Sequence, residues 1–304
     1  MIVTSEPLLI VNCDDFGLTP GVCEAILRSH EKGVATSTSA LVNAPAFSAY
    51  AEALVSSGMG VGAHLCVVGE DPPILSAQEV PSLVDAQGRF PLSWKTFMIR
   101  AATGRIDPAD LRAEFAAQLE VMLAAGLTLT HIDSHQNLHL WPEVSTALFE
   151  CAELHDIGAL RLTRSKGWSP TSLGVRTLSA LLAKRSHRAG LVSPEASLGL
   201  DEAGHLHRGA MIAAIARLGS TSPATAELAT HPGLSEDPER ARYEWGYEWA
   251  EEFAALCHPA VSEAVQRAGF RLGNFADLVA MQLPVNAGDG LGRGAEGERG
   301  AISS

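Results

Sequence analysis

The sequence predicts an α/β fold built on a mainly parallel sheet, either open or closed into a barrel. Short apolar runs that end in polar residues recur along the chain, from LLIVN before Asp14 to ELAT before His231. Helical stretches lie between most of these runs, at 21–32, 46–56, 108–125 and 142–155. Strands that alternate with helices of this length need crossover connections, and crossovers favour parallel pairing.

The individual elements are predicted from their ends. The apolar run LLIVN predicts the first buried strand, and VATSTSALV, VGAHLCVV, LTLTHID and ALRLT predict further strands. Thr19 and Pro20 are a typical N-cap and first helical residue. Asp107 and Pro108 repeat this pair before a helix that is expected to end near Gly126.

Two regions break the alternation. Residues 69–98 hold four Pro and two Gly without periodicity, which predicts a long loop beside the active-site face. Residues 165–225 predict a helical insertion that caps one face of the fold. From about residue 286 the chain is Gly-rich and poor in apolar residues, so we expect one domain over 1–284 and a flexible tail over 285–304.

Composition excludes several classes of protein. The chain has 304 residues, 46% of them hydrophobic, which suffices for one large core or two modest ones. A net charge of −13 argues against a general binder of nucleic acid, because such proteins neutralise phosphates with Lys and Arg. Five Cys without a CxxC pair argue against a disulfide framework, so we expect a reduced, cytoplasmic setting. The first residues have neither a basic leader nor an apolar run long enough for a membrane span.

The first cluster of candidate residues is the pair Asp14 and Asp15, which follows an apolar run and precedes Gly17. A turn at this glycine can bring both carboxylates to one site, where a cation or a shared proton would offset their repulsion. The alternative is structural, with Asp15 or Thr19 capping the helix that starts near Pro20. Both interpretations stay open on these residues alone.

His64 is a second candidate, within GVGAHLCVV. A single His in an apolar strand is more often a hydrogen-bonded core residue than a ligand. A functional role is favoured by Gly62, which permits close backbone approach, and by the irregular loop that begins at Gly69.

The densest cluster is THIDSHQNLH, which contains His131, Asp133, His135 and His139. If the strand persists, the first three share one face, and a bend after Ser134 would bring His139 to the rim of a pocket. Imidazoles backed by a carboxylate suit a divalent metal, because the carboxylate fixes the tautomer of the ligating ring. The alternative is a solvated polar turn with one capping Asp.

Further candidates carry weaker signals. His231 lies in a His-Pro-Gly sequence that is by itself typical of an ordinary turn. Arg161 and Arg164 follow a strand-like run, and four alternate aromatic residues suit packing better than sugar stacking: Tyr243, Trp245, Tyr247 and Trp249. The sequence has neither a GxxxxGK[ST] phosphate loop nor a GxSxG nucleophile elbow. Metal-assisted chemistry is therefore the better hypothesis.

Six motifs, in order across about residues 8–280, resemble the YdjC family of carbohydrate deacetylases, which includes chitooligosaccharide and hopanoid-biosynthesis deacetylases. The motifs are LLIVNCDDFGL, TSTSALVN, GVGAHL, THIDSHQNLHL, ATHPG and GFRLGNFADL. The resemblance implies a single-domain, TIM-barrel-like variant of the (β/α) barrel with its motifs at the carboxyl ends of strands.

The same resemblance implies residue roles. Asp15, His64 and His135 would ligate one divalent metal ion, Mg²⁺ or Zn²⁺, with Asp14 as the neighbouring general base. His231 would face the same pocket, where its imidazolium could protonate a departing amine. The chain departs from the family at Cys13, where a small Ala is frequent, and at 136–137, where further His are frequent.

The implied function is hydrolytic removal of the N-acetyl group from an N-acetylated amino sugar or its glycoside, releasing acetate and a free amine. Two alternatives stay open. One is a metal-dependent phosphoesterase or glycoside-cleaving barrel that uses Asp14 and Asp133 as paired carboxylates. The other is a non-catalytic sugar-binding barrel with a structural metal. The expected partner is a small sugar, with no nucleic acid and no membrane span, and a homo-oligomer is left open.

Overall fold

The fold is built on a parallel sheet, seen in a computed structural model that describes residues 6–282. Its strands follow the order β4-β3-β2-β1-β6-β5, and β7 pairs with the start of β1. The strands are β1 (Leu8–Phe16), β2 (Ser37–Ala40), β3 (Gly60–Leu65), β4 (Leu129–Ser134), β5 (Ala196–Leu198), β6 (Thr225–Thr230) and β7 (Arg271–Leu272). All pairings between these strands are parallel, as predicted. The predicted tail, 285–304, lies outside the described residues.

Helices separate most of the strands. They are α1 (Pro20–Lys32), α2 (Phe47–Ser56), α3 (Trp94–Ala102), α4 (Pro108–Ala124), α5 (Pro142–Leu154), α6 (Pro170–Arg188), α7 (Arg208–Ser220), α8 (Trp249–Leu256), α9 (Pro259–Arg267) and α10 (Phe275–Gln282). The predicted caps are confirmed: Thr19 accepts a hydrogen bond from the backbone N–H of Val22, and Asp107 accepts one from Ala109. Within 6–282, no helix combines the length and apolar character needed to cross a bilayer.

The sheet curls as a barrel sheet does. Beyond β4, single parallel bridges join Ile132 to Leu160 and Ala159 to Val192, which leads towards β5. The run ALRLT was predicted as a strand, but it makes only these bridges. Its next carbonyl groups accept hydrogen bonds from side chains where a strand would pair with its neighbour, since Ser197 donates to Leu162 and Ser179 donates to Thr163.

The central strand β1 is covered by apolar residues on both faces. All nine residues of β1 are buried, as expected of a parallel strand that is covered on both faces. One side of the sheet packs against the large core that includes Phe115 and Leu119 of α4. A smaller cluster around Phe275 and Leu278 of α10 covers Leu8 and Ile10. The chemistry-bearing residues are thereby left at the carboxyl edge of the sheet.

The structure corrects the predicted bounds of both regions that break the alternation. Residues 69–93 are irregular, but the predicted loop to residue 98 runs too far, because α3 begins at Trp94 with Ser93 as its N-cap. The predicted insertion over 165–225 is also too long. Its second half contains β5 and α7, which continue the strand and helix alternation, so only α6 and its flanking turns depart from that pattern.

Candidate active site

A cavity of about 350 Å³ lies at the carboxyl edge of the sheet. This volume falls within the range of roughly 300–1,000 Å³ that is typical of small-molecule sites. All five residues that the sequence singled out as metal ligands or catalytic groups line it: Asp14, Asp15, His64, His135 and His231. They come from β1, β3 and the residues that directly follow β4 and β6.

A turn at the end of β1 sends the two neighbouring carboxylates in different directions. Asp15 has a φ of 66° and Gly17 a φ of 110°, both in the left-handed region. A Cβ atom at Gly17 would lie 2.5 Å from the carbonyl oxygen of Leu41, so only glycine fits. Asp15 therefore faces the histidines and Asp14 faces Arg161. The helix cap is Thr19, which settles the capping alternative against Asp15.

Asp15, His64 and His135 form a buried triad. Asp15 Oδ1 lies 3.0 Å from His135 Nδ1 and 3.3 Å from His64 Nε2. One donor atom from each residue lies within 4.8 Å of the other two. A carboxylate and two imidazoles are the donor set that divalent first-row metals prefer, and three ligands leave one position open. The triad therefore fits a bound metal ion.

Asp133 orients His64 from behind. The two residues are direct partners in the β3–β4 register, and His64 Nδ1 donates to Asp133 Oδ1 over 2.7 Å. This bond leaves His64 Nε2 facing Asp15. Burial opposes a charged imidazole, but the carboxylates of Asp133 and Asp15 raise the pKa of His64 to about 10. Burial would likewise raise the pKa of Asp15, yet His135 and His64 hold it well below its usual range. The carboxylates around the triad thus favour a bound positive charge, either a proton or a metal ion.

Arg161 forms a second charged cluster. Its guanidinium group binds both oxygens of Asp14, at 2.7 and 2.6 Å, together with Asp133 at 2.9 Å and Glu227 at 2.8 Å. Its backbone N–H donates to Ile132, which places the side chain beside Asp133. Burial disfavours charge on Asp14, but Arg161 lowers the pKa of this carboxyl below its usual value. Asp14 is therefore ionised at neutral pH.

Sequence reasoning missed Glu227. It is buried within β6, and burial outweighs the attraction of Arg161 and raises its pKa to about 7. Its Oε2 atom has no hydrogen-bond partner among the described residues. A charged residue inside a buried parallel strand was the signal that could have identified it.

His231 lies beside Asp14. The β1–β6 register pairs Cys13 with Thr230, so the next residues on each strand are neighbours. His231 Nε2 is 3.7 Å from Asp14 Oδ2. The backbone N–H of His231 donates to Glu252 Oε2 over 2.6 Å, and Glu252 is itself fully buried. His231 therefore faces the pocket, as the resemblance implied.

Two other histidines of the dense cluster lie outside the cavity lining. His131 stacks on Phe275 with ring centroids 3.8 Å apart, and it fills the space over Gly62, where a Cβ atom would be 2.2 Å from its Nε2. His139 bonds to Ser134 after the chain reverses through left-handed residues 136–137. Burial lowers the pKa of His131 to about 3 and that of His139 to about 4. The expected shared face is confirmed for His131 and Asp133, which both contact Ser39 Oγ, at 3.1 and 2.9 Å. The expectation of a rim position for His139 is wrong, because β4 ends at Ser134 and the chain then folds inward and buries this ring.

An aromatic wall closes one side of the cavity. The ring of Trp245 lies 5.3 Å from that of His135, and the ring of Tyr247 lies 4.9 Å from that of His231. The loop after β3 holds this wall, since Glu70 accepts a hydrogen bond from Trp245 Nε1 and Asp71 accepts one from the Tyr243 hydroxyl. The sequence favoured packing for these aromatic residues. That is incomplete, because Trp245 and Tyr247 also line the cavity.

Comparison with known proteins gives consistent matches. The family model of YdjC-like protein matches residues 8–267. A carbohydrate deacetylase from Brevibacillus brevis is 40% identical over 146 residues, which cover 48% of this chain and 55% of that protein. A carbohydrate deacetylase from Listeria welshimeri is 32% identical over 163 residues, which cover 50% of this chain and 64% of that protein. The chain thus spans about half to two thirds of the length of these curated relatives.

A solved structure has the same fold. It is the crystal structure of a protein from Enterococcus faecalis assigned as a cellobiose-phosphate cleavage protein. The two chains share 26% sequence identity and a TM-score of 0.75, over 90% of this chain and 99% of that one. This similarity supports the α/β fold with a curled parallel sheet.

Proposed function

Because the chain belongs to the YdjC-like protein family, we propose that it is a metal-dependent carbohydrate deacetylase that removes the acetyl group from an N-acetylated amino sugar or its glycoside. The relatives named carbohydrate deacetylase support this assignment. The observation that carries it is the triad of Asp15, His64 and His135, which shares one cavity with Asp14 and His231.

The triad is the proposed metal site. Two imidazoles favour Zn²⁺ or a related first-row ion over Mg²⁺, which prefers oxygen ligands. A divalent cation bound there would supply Lewis acidity to the amide carbonyl and to an attacking water. His64 holds its ligating nitrogen towards the site because Asp133 binds the opposite ring nitrogen.

Asp14 is the proposed general base. It lines the cavity, it is ionised at neutral pH, and Arg161 and Asn12 fix its orientation. It would accept the proton of the water whose oxygen attacks the amide carbon. Since Arg161 lowers the pKa of Asp14, this arrangement favours the ionised form and a fixed geometry over strong basicity.

His231 is the proposed general acid. Breaking the amide C–N bond leaves acetate and an amine, and the amine nitrogen must gain a proton as it departs. His231 Nε2 lies on the same side of the cavity as Asp14, at 3.7 Å from its carboxylate. The aromatic faces of Trp245 and Tyr247 and the polar side chains of Gln136 and Asn137 line the space for a sugar ring.

The E. faecalis protein's assignment favours one competing function, cleavage of a phosphorylated disaccharide. A glycosidase mechanism with Asp14 and Asp133 as the two carboxylates has little support in this site. Asp133 is fully buried, and its oxygens accept hydrogen bonds from His64, Ser39 and Arg161. A purely structural metal is also disfavoured, because the triad lines an accessible cavity.

One product analysis separates these functions. The chelator-treated chain is reconstituted with Zn²⁺ or Mg²⁺. It is then incubated separately with N-acetylglucosamine, with the β-1,4-linked disaccharide of N-acetylglucosamine and with cellobiose phosphate. We expect acetate and free amine in equal amounts, and only with metal. Phosphate or monosaccharide release without acetate would assign the competing function, and metal binding without any product would assign the structural role.

A further inference from the structure

Positive charge is concentrated in two segments of this acidic chain. Residues 86–106 and 157–194 hold eleven of its 22 Lys and Arg residues and none of its 35 Asp and Glu residues. These segments contain α3 and α6, which flank a second cavity of about 370 Å³. Its lining includes Trp94 and Met98 from α3 and Val175 and Leu178 from α6. Two stretches that are distant in sequence and contain no Asp or Glu therefore flank one cavity, whose lining also includes Asp201. We name the exposed residues of these two stretches the α3–α6 face.

Six cations of this face are exposed and make no ion pair with another residue in the range 6–282: Lys95, Arg105, Lys166, Arg176, Lys184 and Arg188. Some of the remaining basic residues of the two segments bind other groups within the chain. Arg161 binds the buried carboxylates, and Arg185 donates to Pro142 and Ser145. The six exposed cations have no comparable internal role, which makes them available to a partner.

Large apolar side chains are exposed in the same two segments. Trp168 is 82% exposed, just before α6, and Leu173 and Leu181 of α6 are 46% and 43% exposed. On the α3 side, Leu92 is 68% exposed and Ile99 is 65% exposed. A cation and an exposed apolar side chain meet at one point of this face, since the guanidinium of Arg176 lies 5.4 Å from the ring centre of Trp168.

We propose that the α3–α6 face docks on the surface of a bilayer that contains anionic lipids. Interfacial protein surfaces combine Lys and Arg, which are attracted to anionic headgroups, with Trp and Leu, which enter the boundary with the acyl chains. Nucleic acid would account for the cations but not for Trp168, Leu92 and Ile99. Docking places the second cavity beside the lipid. It shares lining residues with the active-site cavity, including Trp94 and Gln136.

Vesicle binding tests the electrostatic part of this proposal. The intact chain is sedimented with vesicles of phosphatidylcholine alone or of phosphatidylcholine and phosphatidylglycerol in equal parts. We expect binding only to the anionic vesicles, weakened by high salt because salt screens the attraction. The double substitution Arg176→Glu with Lys184→Glu should lower the affinity at least about tenfold. The matched control, Lys32→Glu with Arg267→Glu, changes exposed cations that pair only with neighbouring glutamates, and it should bind like the wild type.

Tryptophan fluorescence tests the apolar part. Brominated acyl chains in the anionic vesicles should quench the fluorescence of the wild type more than that of Trp168→Phe. Binding to heparin that matches binding to vesicles, without quenching at Trp168, would overturn the proposal in favour of a general polyanion surface. The chain could instead associate with itself in the absence of lipid. If the double substitution Arg176→Glu with Lys184→Glu abolished that association, the face would be assigned to a second copy of the chain. No binding to anionic vesicles at low salt would overturn it outright, and none of these outcomes depends on deacetylase activity.

Discussion

Two clusters of buried charge share the carboxyl edge of the sheet, and they differ in the source of their positive charge. The cluster around Arg161 contains its own cation, which binds Asp14, Asp133 and Glu227. In the triad of Asp15, His64 and His135, the positive charge is a proton on an imidazole, which a bound metal ion can replace. The first cluster therefore has a permanent cation, whereas the second can exchange its proton for a metal ion. This difference explains how adjacent carboxylates can have different roles.

Asp133 connects the two clusters. Its Oδ1 atom accepts a hydrogen bond from His64, and its Oδ2 atom binds Arg161. A change in one cluster can therefore reach the other through a single carboxylate. Substitutions that remove one cluster and spare the other test whether the separation is real.

The largest expected effect follows from substitutions in the triad. His64→Ala and His135→Ala should each lose the bound metal and all measurable turnover, because two ligands do not hold a divalent ion as three do. Metal content after dialysis, measured by elemental analysis, checks this. The control is His139→Asn, a buried histidine outside the cavity lining, which should keep its metal. Full metal retention in either triad variant would break the assignment.

The neighbouring carboxylates provide a matched pair. Asp14→Asn should lower kcat by roughly 10²–10⁴ while metal content stays near the wild-type value, because it removes a general base and no ligand. Asp15→Asn should lose the metal. Metal content and acetate release are measured on both variants. Loss of metal from Asp14→Asn would make Asp14 a ligand and merge the two clusters.

Arg161 should matter most for stability. Arg161→Met leaves three carboxylates buried without their cation, and we expect a loss of about 3–5 kcal/mol in the free energy of unfolding. The control is Arg89→Met, since Arg89 is 69% exposed and pairs with the exposed Asp85, so its loss should be far smaller. Urea denaturation measures both. Equal losses would mean that the Arg161 cluster is no more important than a surface ion pair.

The sequence was sufficient for features that depend on local pattern. The central strand, the caps at Thr19 and Asp107 and the position of the candidate active-site residues at strand ends all follow from short motifs. Features that depend on register were not accessible. Sequence spacing alone could not show that His64 lies opposite Asp133, or that His131 packs under α10.

Long-range ion pairing was equally hidden. Arg161 reaches carboxylates that are 147 and 66 residues away along the chain, and no spacing rule joins them. The aromatic wall depends on the loop after β3, which binds Tyr243 and Trp245 through acidic side chains of its own. Predicting these contacts requires the fold first, because each contact joins segments that only the sheet topology brings together.

The smallest expected effect is on the pH dependence of stability, which should differ between the carboxylates of the Arg161 cluster. Burial raises the pKa of Glu227 to about 7, above the ordinary value of about 4.3 in the unfolded chain. The folded state therefore binds the proton more tightly, so Glu227 contributes stability at low pH that is lost as pH rises from about 4.3 to 7. Glu227→Gln should remove this contribution. The free energy of unfolding of the variant minus that of the wild type should then increase across this interval.

Asp14 should show the opposite trend, because its pKa is lowered in the folded chain. The free energy of unfolding of Asp14→Asn minus that of the wild type should therefore decrease as pH rises through the ordinary pKa of Asp. Urea denaturation at several pH values measures both trends, and parallel trends would show that the cluster titrates as one unit and does not divide its carboxylates as proposed.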